Sequence, residues 1–433
     1  MMSVFIFRDE PDLSFIQVNV GDWVVLKPNL VKERNLAHPG EWQSVITSGD
    51  LIRKVCIRVG EQLNGHGRIS ICDGPQTDSS FDRIAELIGL HQIARDTAKT
   101  YGVPVEVVDL RNEEWTAIEE VITARRKLEG DPAGTIAFNL GRDSLFYGYK
   151  GEGRYYGADY DAGVTNIHHR GETQEYLISG TPIRADVFIN LPKLKTHKKT
   201  GVTLNLKNLV GINADKNWLP HHTDGSPADG GDQFPSLTLL RRSEQAAVAI
   251  ARRIALSVPD VGPFVTRQLR KAGKKAFGGE GVTRSGNWHG NDTTWRMALD
   301  LNRCLLYGNP DGTLRRDRPK RYYSVIDGIV GMEGNGPMAG DPIASDVTIG
   351  GTDPVAVDMV AARVMGFDWR KLPVIREAFA FADLPITTTR PEDVEVVSDV
   401  LEWNGRFLDI ENREFLHFRP HPGWVGHIEY EPK

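Results

Sequence analysis

Four lysines and a histidine fall within seven residues, Lys193 to Lys199, inside the stretch Leu191-Pro-Lys-Leu-Lys-Thr-His-Lys-Lys-Thr-Gly-Val-Thr-Leu-Asn-Leu-Lys-Asn-Leu-Val-Gly211. Positive charges at Lys193, Lys195, Lys198 and Lys199 disfavour protonation of His197 and leave its imidazole available as a general base near neutral pH. The same cations can hold a carboxylate or phosphate and stabilise an enolate or oxyanion as charge develops. That chemistry is proton abstraction beside a carboxylate, or transfer at a phosphorylated group. His197 is the catalytic candidate; Lys193, Lys195 and Lys199 are anion ligands, and replacing Lys207 or Asn208 is expected to weaken ligand binding. A solvated lysine-rich loop is the bland alternative. It is disfavoured because the run is interleaved with Thr, His and Asn and pinned between two apolar segments.

Elements must bring these residues together. Ala185-Asp-Val-Phe-Ile-Asn190 reads as a buried strand, and Pro192, lacking an N–H, takes the chain out of the sheet. After Gly201, apolar residues at Val202, Leu204, Leu206, Leu209 and Val210 fit a short helix on the sheet, closed by Gly211. Open α/β sheets bind ligands where strands end and helices begin. Trp23-Val-Val-Leu26 ends in Lys27-Pro-Asn29, the vocabulary used again at residue 192, and Arg68-Ile-Ser-Ile-Cys72 ends in Asp73-Gly-Pro. Lys27, Asn29 and Asp73 therefore join the anion-site candidates, with plain turn chemistry as the competing reading.

The rest of the text alternates strand and helix. Ser48 caps a helix through Leu51–Leu63, helical residues run from about Ser79 to Thr100, Val103–Val108 is a strand and a further helix starts near Glu113. This is the pattern of an α/β protein with mostly parallel sheets covered by helices, Rossmann-like, in two lobes with a central cleft. The expected division is an N-terminal lobe over 1–140, an irregular insertion or flap over 141–181, a second lobe over 182–400 carrying the site, and a C-terminal wrap over 401–433. Residues Pro235 to about Gly281 read as helical, with a solvated basic tract from Arg267 to Lys275. Asp292 and Asp353 are read as helix caps. The glycine-rich Gly328–Gly340 loop lacks the spacing of a nucleotide cradle. In the loop Ile212–Asp232, His221 and His222 are the candidate ligands for a divalent metal. The pair His168 and His169 falls on an extended segment that would point them apart.

With 433 residues, 40% of them hydrophobic, the chain can bury a full core. A net charge of -6 argues against general binding to nucleic acid or acidic membranes, so any anion site is local. The first residues lack a basic region followed by an apolar run, and no apolar stretch reaches the roughly 18 residues needed to span a bilayer, so a cytoplasmic protein is expected. Cys56, Cys72 and Cys304 are widely separated in apolar surroundings and read as core residues.

Four ordered motifs then become familiar: Lys-Pro-Asn29, Pro-Lys-Leu-Lys-Thr-His197 with Leu-Lys-Asn208-Leu-Val-Gly211, Gly-Met-Glu-Gly-Asn-Gly-Pro337, and Asp-Pro-Val-Ala-Val-Asp358. Together they resemble the family known as domain of unknown function 362 (DUF362), over roughly Trp23 to Val397. Many of its members carry ferredoxin-like cysteine clusters; three scattered cysteines cannot build one, so no iron–sulfur cluster of the chain's own is expected. A more remote similarity is to lactate racemase and its nickel-pincer nucleotide relatives. It implies His197 as an acid/base histidine, Lys207, ten residues on, as a catalytic lysine that carries the cofactor, and His221 or His222 as the metal ligand. The small, glycine-rich approach to that lysine is replaced here by Val-Thr-Leu-Asn-Leu.

Two functions are expected from these residues. One is an enzyme for a small carboxylate- or phosphate-bearing molecule, working by His-centred acid/base chemistry and racemase- or epimerase-like, with a divalent metal as an optional aid. The other is a non-catalytic anion- or metal-cofactor-binding accessory protein, beside an iron–sulfur partner or in a sugar-nucleotide pathway where Trp218, Trp288 and Trp295 stack on rings. No feature sets an oligomeric state.

Overall fold

The computed structural model describes residues 1–118, 121–158, 161–236, 285–317 and 320–432. The helix and basic tract expected over 235–281 lie almost wholly outside the described residues. The chain is a mixed α/β protein built on one large, mostly parallel sheet. At its centre run five parallel neighbours, Val105–Asp109, Arg68–Asp73, Trp23–Pro28, Val187–Leu191 and Arg321–Glu333. Buried on both faces, the inner strands carry near-continuous apolar runs, Val-Val-Leu and Val-Phe-Ile among them. Asp341–Gly351 adds antiparallel to Arg321–Glu333, and Met2–Phe7 and Val394–Ser398 continue that edge. Strands from both expected lobes are thus hydrogen-bonded neighbours in one sheet.

Chain order reverses between Trp23–Pro28 and Val187–Leu191. On one side the sequence proceeds to Arg68–Asp73 and Val105–Asp109, on the other to Arg321–Glu333. In open α/β sheets such a reversal is where ligand sites tend to form, at the carboxyl ends of the two strands. Helix Gly49–Leu63 starts beside it. The Ser48 hydroxyl accepts the Leu51 N–H, and Leu51, Ile52, Val55 and Val59 are buried.

Several local expectations need correction. The residues from Glu113 form a hairpin, Glu113–Ile118 with Val121–Lys127, because alternating and β-branched residues favour strand over helix there. The helix Thr294–Tyr307 is capped by Asn291, whose Oδ1 accepts the Thr293 and Thr294 N–H groups; Asp292 instead accepts from Trp295 Nε1 and Arg296. Asp353 does cap its helix, Pro354–Val364. The flap holds the strands Tyr155–Gly157, His169–Arg170 and Thr173–Ser179, and a short helix, Ala162–His168. His168 bonds Glu175 and stacks on Trp218, while His169 is bonded to Gln174 and to the Trp218 carbonyl. The three cysteines are free and buried.

Candidate functional site

Where the central strands end, two groups of lysines form, and their surroundings differ. The first is an interlocked network. Lys27 Nζ lies 2.6 Å from Asp73 Oδ1 and also donates to the Pro28 carbonyl and Asn208 Oδ1, which uses all three of its protons. Asn208 Oδ1 accepts from Asn29 Nδ2, while its own Nδ2 donates to Asn190 Oδ1, both at 2.7 Å. Lys195 Nζ donates to Asn29 Oδ1 and the Val45 carbonyl, and Lys193 Nζ pairs with Asp327 at 3.0 Å. Asp73 further accepts the Leu30 and Gly74 N–H groups. Of the residues expected to bind an anion, Lys27, Asn29, Asp73, Lys193, Lys195 and Asn208 are therefore brought together, but bonded to one another and to main chain. Gly211 closes this network. A Cβ there would overlap Asp73 Oδ1 and press on Lys27.

The second group lies just beyond. From the strand Lys193–His197 the chain turns through Lys198–Thr200 and the two-residue strand Gly201–Val202 into the short helix Leu204–Asn208. Leu204, buried, sits in the left-handed region at φ 44°. Asp358, from the helix Pro354–Val364, fixes the turn by accepting the Asn205 and Leu206 N–H groups and Asn205 Nδ2. Burial pushes the Asp358 carboxyl up to about 7 against those hydrogen bonds. One residue further, Lys207 is only 7% exposed, and its ammonium makes no hydrogen bond or ion pair among the described residues. Burial, then the charges of Lys216, Lys27 and Lys198, bring it down to about 7.

His197 is also 7% exposed. Burial and the charges of Lys207, Lys198, His221 and Lys199 hold it well below the ordinary imidazole range, so it is neutral. Its tautomer follows from one contact. The Lys199 N–H donates to His197 Nδ1 at 3.1 Å, so the proton of the neutral ring is on Nε2. His221 is the mirror case. Its Nδ1 lies 3.0 Å from the Leu219 carbonyl, which can only accept, so Nδ1 carries the proton and Nε2 keeps a lone pair. Burial, with Lys207 and Lys199, keeps His221 neutral as well. The two rings thus offer opposite functions, a donor at His197 and an acceptor at His221. Reading the lysines alone makes His197 the base; the Lys199 amide puts the proton of its neutral ring on Nε2.

His222 does not join them. It follows His221 on the strand Pro220–Thr223, where successive side chains face opposite ways, and it stacks on Tyr156 at 4.9 Å. Among the described residues no three His, Cys, Asp or Glu side chains are grouped to hold a metal ion.

Other parts were not foreseen. Lys199 Nζ donates to the Ser285 carbonyl, and burial with Lys198 brings the amine down to about 7, against the pull of Asp232. Asp232 is anchored by the Thr223 and Asp292 N–H groups and the Thr293 hydroxyl. Lys216 Nζ donates to the Gly74 and Val210 carbonyls, and its stem borders a cleft of about 460 Å³ with Arg111, Arg125 and Lys127. The C-terminal wrap covers the basic turn. Trp424 Nε1 donates to the Lys198 carbonyl at 2.9 Å, and His421 is held down to about 4 by burial and Lys198. The Gly334–Gly340 segment backs the Lys193–His197 strand, accepting from Thr196 Oγ1 at Gly334 and from the Lys198 N–H at Gly336. Of the ring-stacking candidates, Trp288 and Trp295 are buried and hydrogen-bonded to Asp232 and Asp292, and Trp218 is covered by His168.

These features define a mixed α/β protein whose polar site lies at the carboxyl ends of parallel strands. The chain belongs to the family described as "Domain of unknown function (DUF362)", whose model matches residues 24–129 and 120–363. No curated protein matches the chain. No described helix is long and apolar enough to cross a membrane.

Proposed function

We propose that the chain is an enzyme acting on a small carboxylate- or phosphate-bearing molecule by histidine-centred acid/base chemistry, of an isomerase- or racemase-like kind. One observation carries this reading. The charges that dominate at Lys207, His197 and His221 are all positive, although these groups are largely buried. Unpaired buried cations are costly, and an anion between them offsets that cost.

In this reading Lys199 and Lys207 hold the anion, and His221 Nε2 takes a proton from the carbon beside it. His197 Nε2–H donates to the oxyanion that develops, a task suited to an imidazole that stays neutral. What supports the lactate racemase likeness is that the charge of Lys207 acts on both His197 and His221. A metal held by protein side chains needs three or more donors, and His222 is turned onto Tyr156. The steps are accordingly derived without one.

The test is calorimetric and spectroscopic. Phosphate, pyruvate and lactate at millimolar concentration should raise the melting temperature, and proteins carrying Lys199→Met or Lys207→Met should lose that rise. NMR in deuterium oxide should show loss of the proton beside the carbonyl or carboxylate of a bound acid. Binding without exchange in any carboxylate would favour the non-catalytic accessory protein; no binding of any anion would remove the site.

A further inference from the structure

Among the described residues, every buried lysine but one gives a proton to a protein oxygen. Lys27, Lys193, Lys195, Lys199, Lys216 and Lys320 are buried, and each gives at least one proton to a protein oxygen. Lys207, equally buried, gives none among the described residues. A primary amine on a largely buried side chain, among other cations and with no acceptor from the described residues, is the arrangement that makes lysine a nucleophile toward carbonyl carbon. We propose that Lys207 forms an imine with the carbonyl group of an anionic 2-oxo acid or phosphorylated ketone. This rests on the anionic-substrate reading above, leaves the anionic group to Lys199 once Lys207 attacks, and narrows the substrate to carbonyl compounds.

The neighbours fit the step. The neutral Nζ attacks the carbonyl carbon, forming a C–N bond while the C=O pair moves to oxygen, which takes the proton lost by nitrogen. His197 Nε2–H donates a hydrogen bond to that oxygen. A second proton, drawn from solvent, lets the oxygen leave as water and gives a protonated imine. His221 Nε2 then removes a proton from the adjacent carbon; the C–H pair becomes a C=C bond and the iminium nitrogen accepts the displaced pair as an enamine. No electrons are gained or lost. Asp358 acts as a positioning residue, because its bonds to Asn205 and Leu206 fix the turn that presents Lys207. A lysine with its amine lowered to about 7 supplies the neutral form at physiological pH, which a surface lysine does not.

Borohydride trapping decides the matter. The full chain is incubated at pH 7.5 with pyruvate or with dihydroxyacetone phosphate, reduced with cyanoborohydride and mapped by peptide mass spectrometry. We expect one reduced adduct on Lys207, formed at least tenfold faster than on any other lysine, and absent from a folded Lys207→Arg protein. The two probes separate carboxylate from phosphate recognition. A melting-temperature rise with either probe but no adduct on Lys207 overturns the imine and leaves the anion site standing. No rise and no adduct overturns both. Labelling spread evenly over surface lysines also overturns the imine, and because it is read on the wild-type chain it does not depend on any variant folding.

Discussion

Two sets of lysines at the ends of the central strands have opposite fates. Lys27 and Lys193 face carboxylates at Asp73 and Asp327, and Lys195 faces Asn29 and a main-chain oxygen. Among the described residues, Lys207 feels the charges of Lys216, Lys27 and Lys198, and its own charge acts on His197 and His221. The first set ties together the ends of strands that are already neighbours in the sheet. Around Lys207 the charges of Lys216, Lys27 and Lys198 add up, and no described carboxylate pairs with its amine. A cation's role is therefore decided by whether an acceptor reaches it; Lys193, Lys195 and Lys207 share one sequence motif and still differ.

Removing Asp73 attacks the first set hardest. Asp73→Ala leaves Lys27 buried without its carboxylate and should cost about 3–5 kcal/mol of stability in urea unfolding. A loss below about 1 kcal/mol would mean that the network does not hold the strand ends. The second set is probed by glutamine, whose amide can donate a hydrogen bond but cannot take a proton. His221→Gln should lower deuterium exchange by about 10²- to 10⁴-fold, and His197→Gln by clearly less. The reverse order would return the base to His197.

Lys207→Met should move stability least, by about 1 kcal/mol or less at pH 8. Its pH dependence sharpens the contrast. The folded pKa is lowered to about 7 from 10.5, so the folded protein binds fewer protons than the unfolded chain between those values. Wild-type stability should therefore rise relative to the variant as pH climbs from about 7 toward 10.5, and run parallel to it below 7. Parallel curves throughout would show that Lys207 is not buried as described.

Much of this was legible in the sequence. Lys27, Asp73, Lys193 and Lys195 stand where strand text stops, and the alternation of strand and helix places those ends on one edge. The tautomers of His197 and His221 were not legible. They depend on the Lys199 N–H and the Leu219 carbonyl, main-chain groups whose direction no residue type records. Asp358 stood within a motif and still read only as part of a helix start, because its partners Asn205 and Leu206 are about 150 positions away. Asp232 and His421 were hidden for the same reason. The hairpin at Glu113 was misread although its Thr, Ile and Val content carried the signal.

The bond from Trp424 to the Lys198 carbonyl has a consequence for biosynthesis. During translation the basic turn emerges more than two hundred residues before the indole that covers it. The strand Met2–Phe7 likewise waits for its two neighbours, Asp341–Gly351 and Val394–Ser398. The nascent chain thus carries this cation-rich turn without its indole cover until Trp424 has been made.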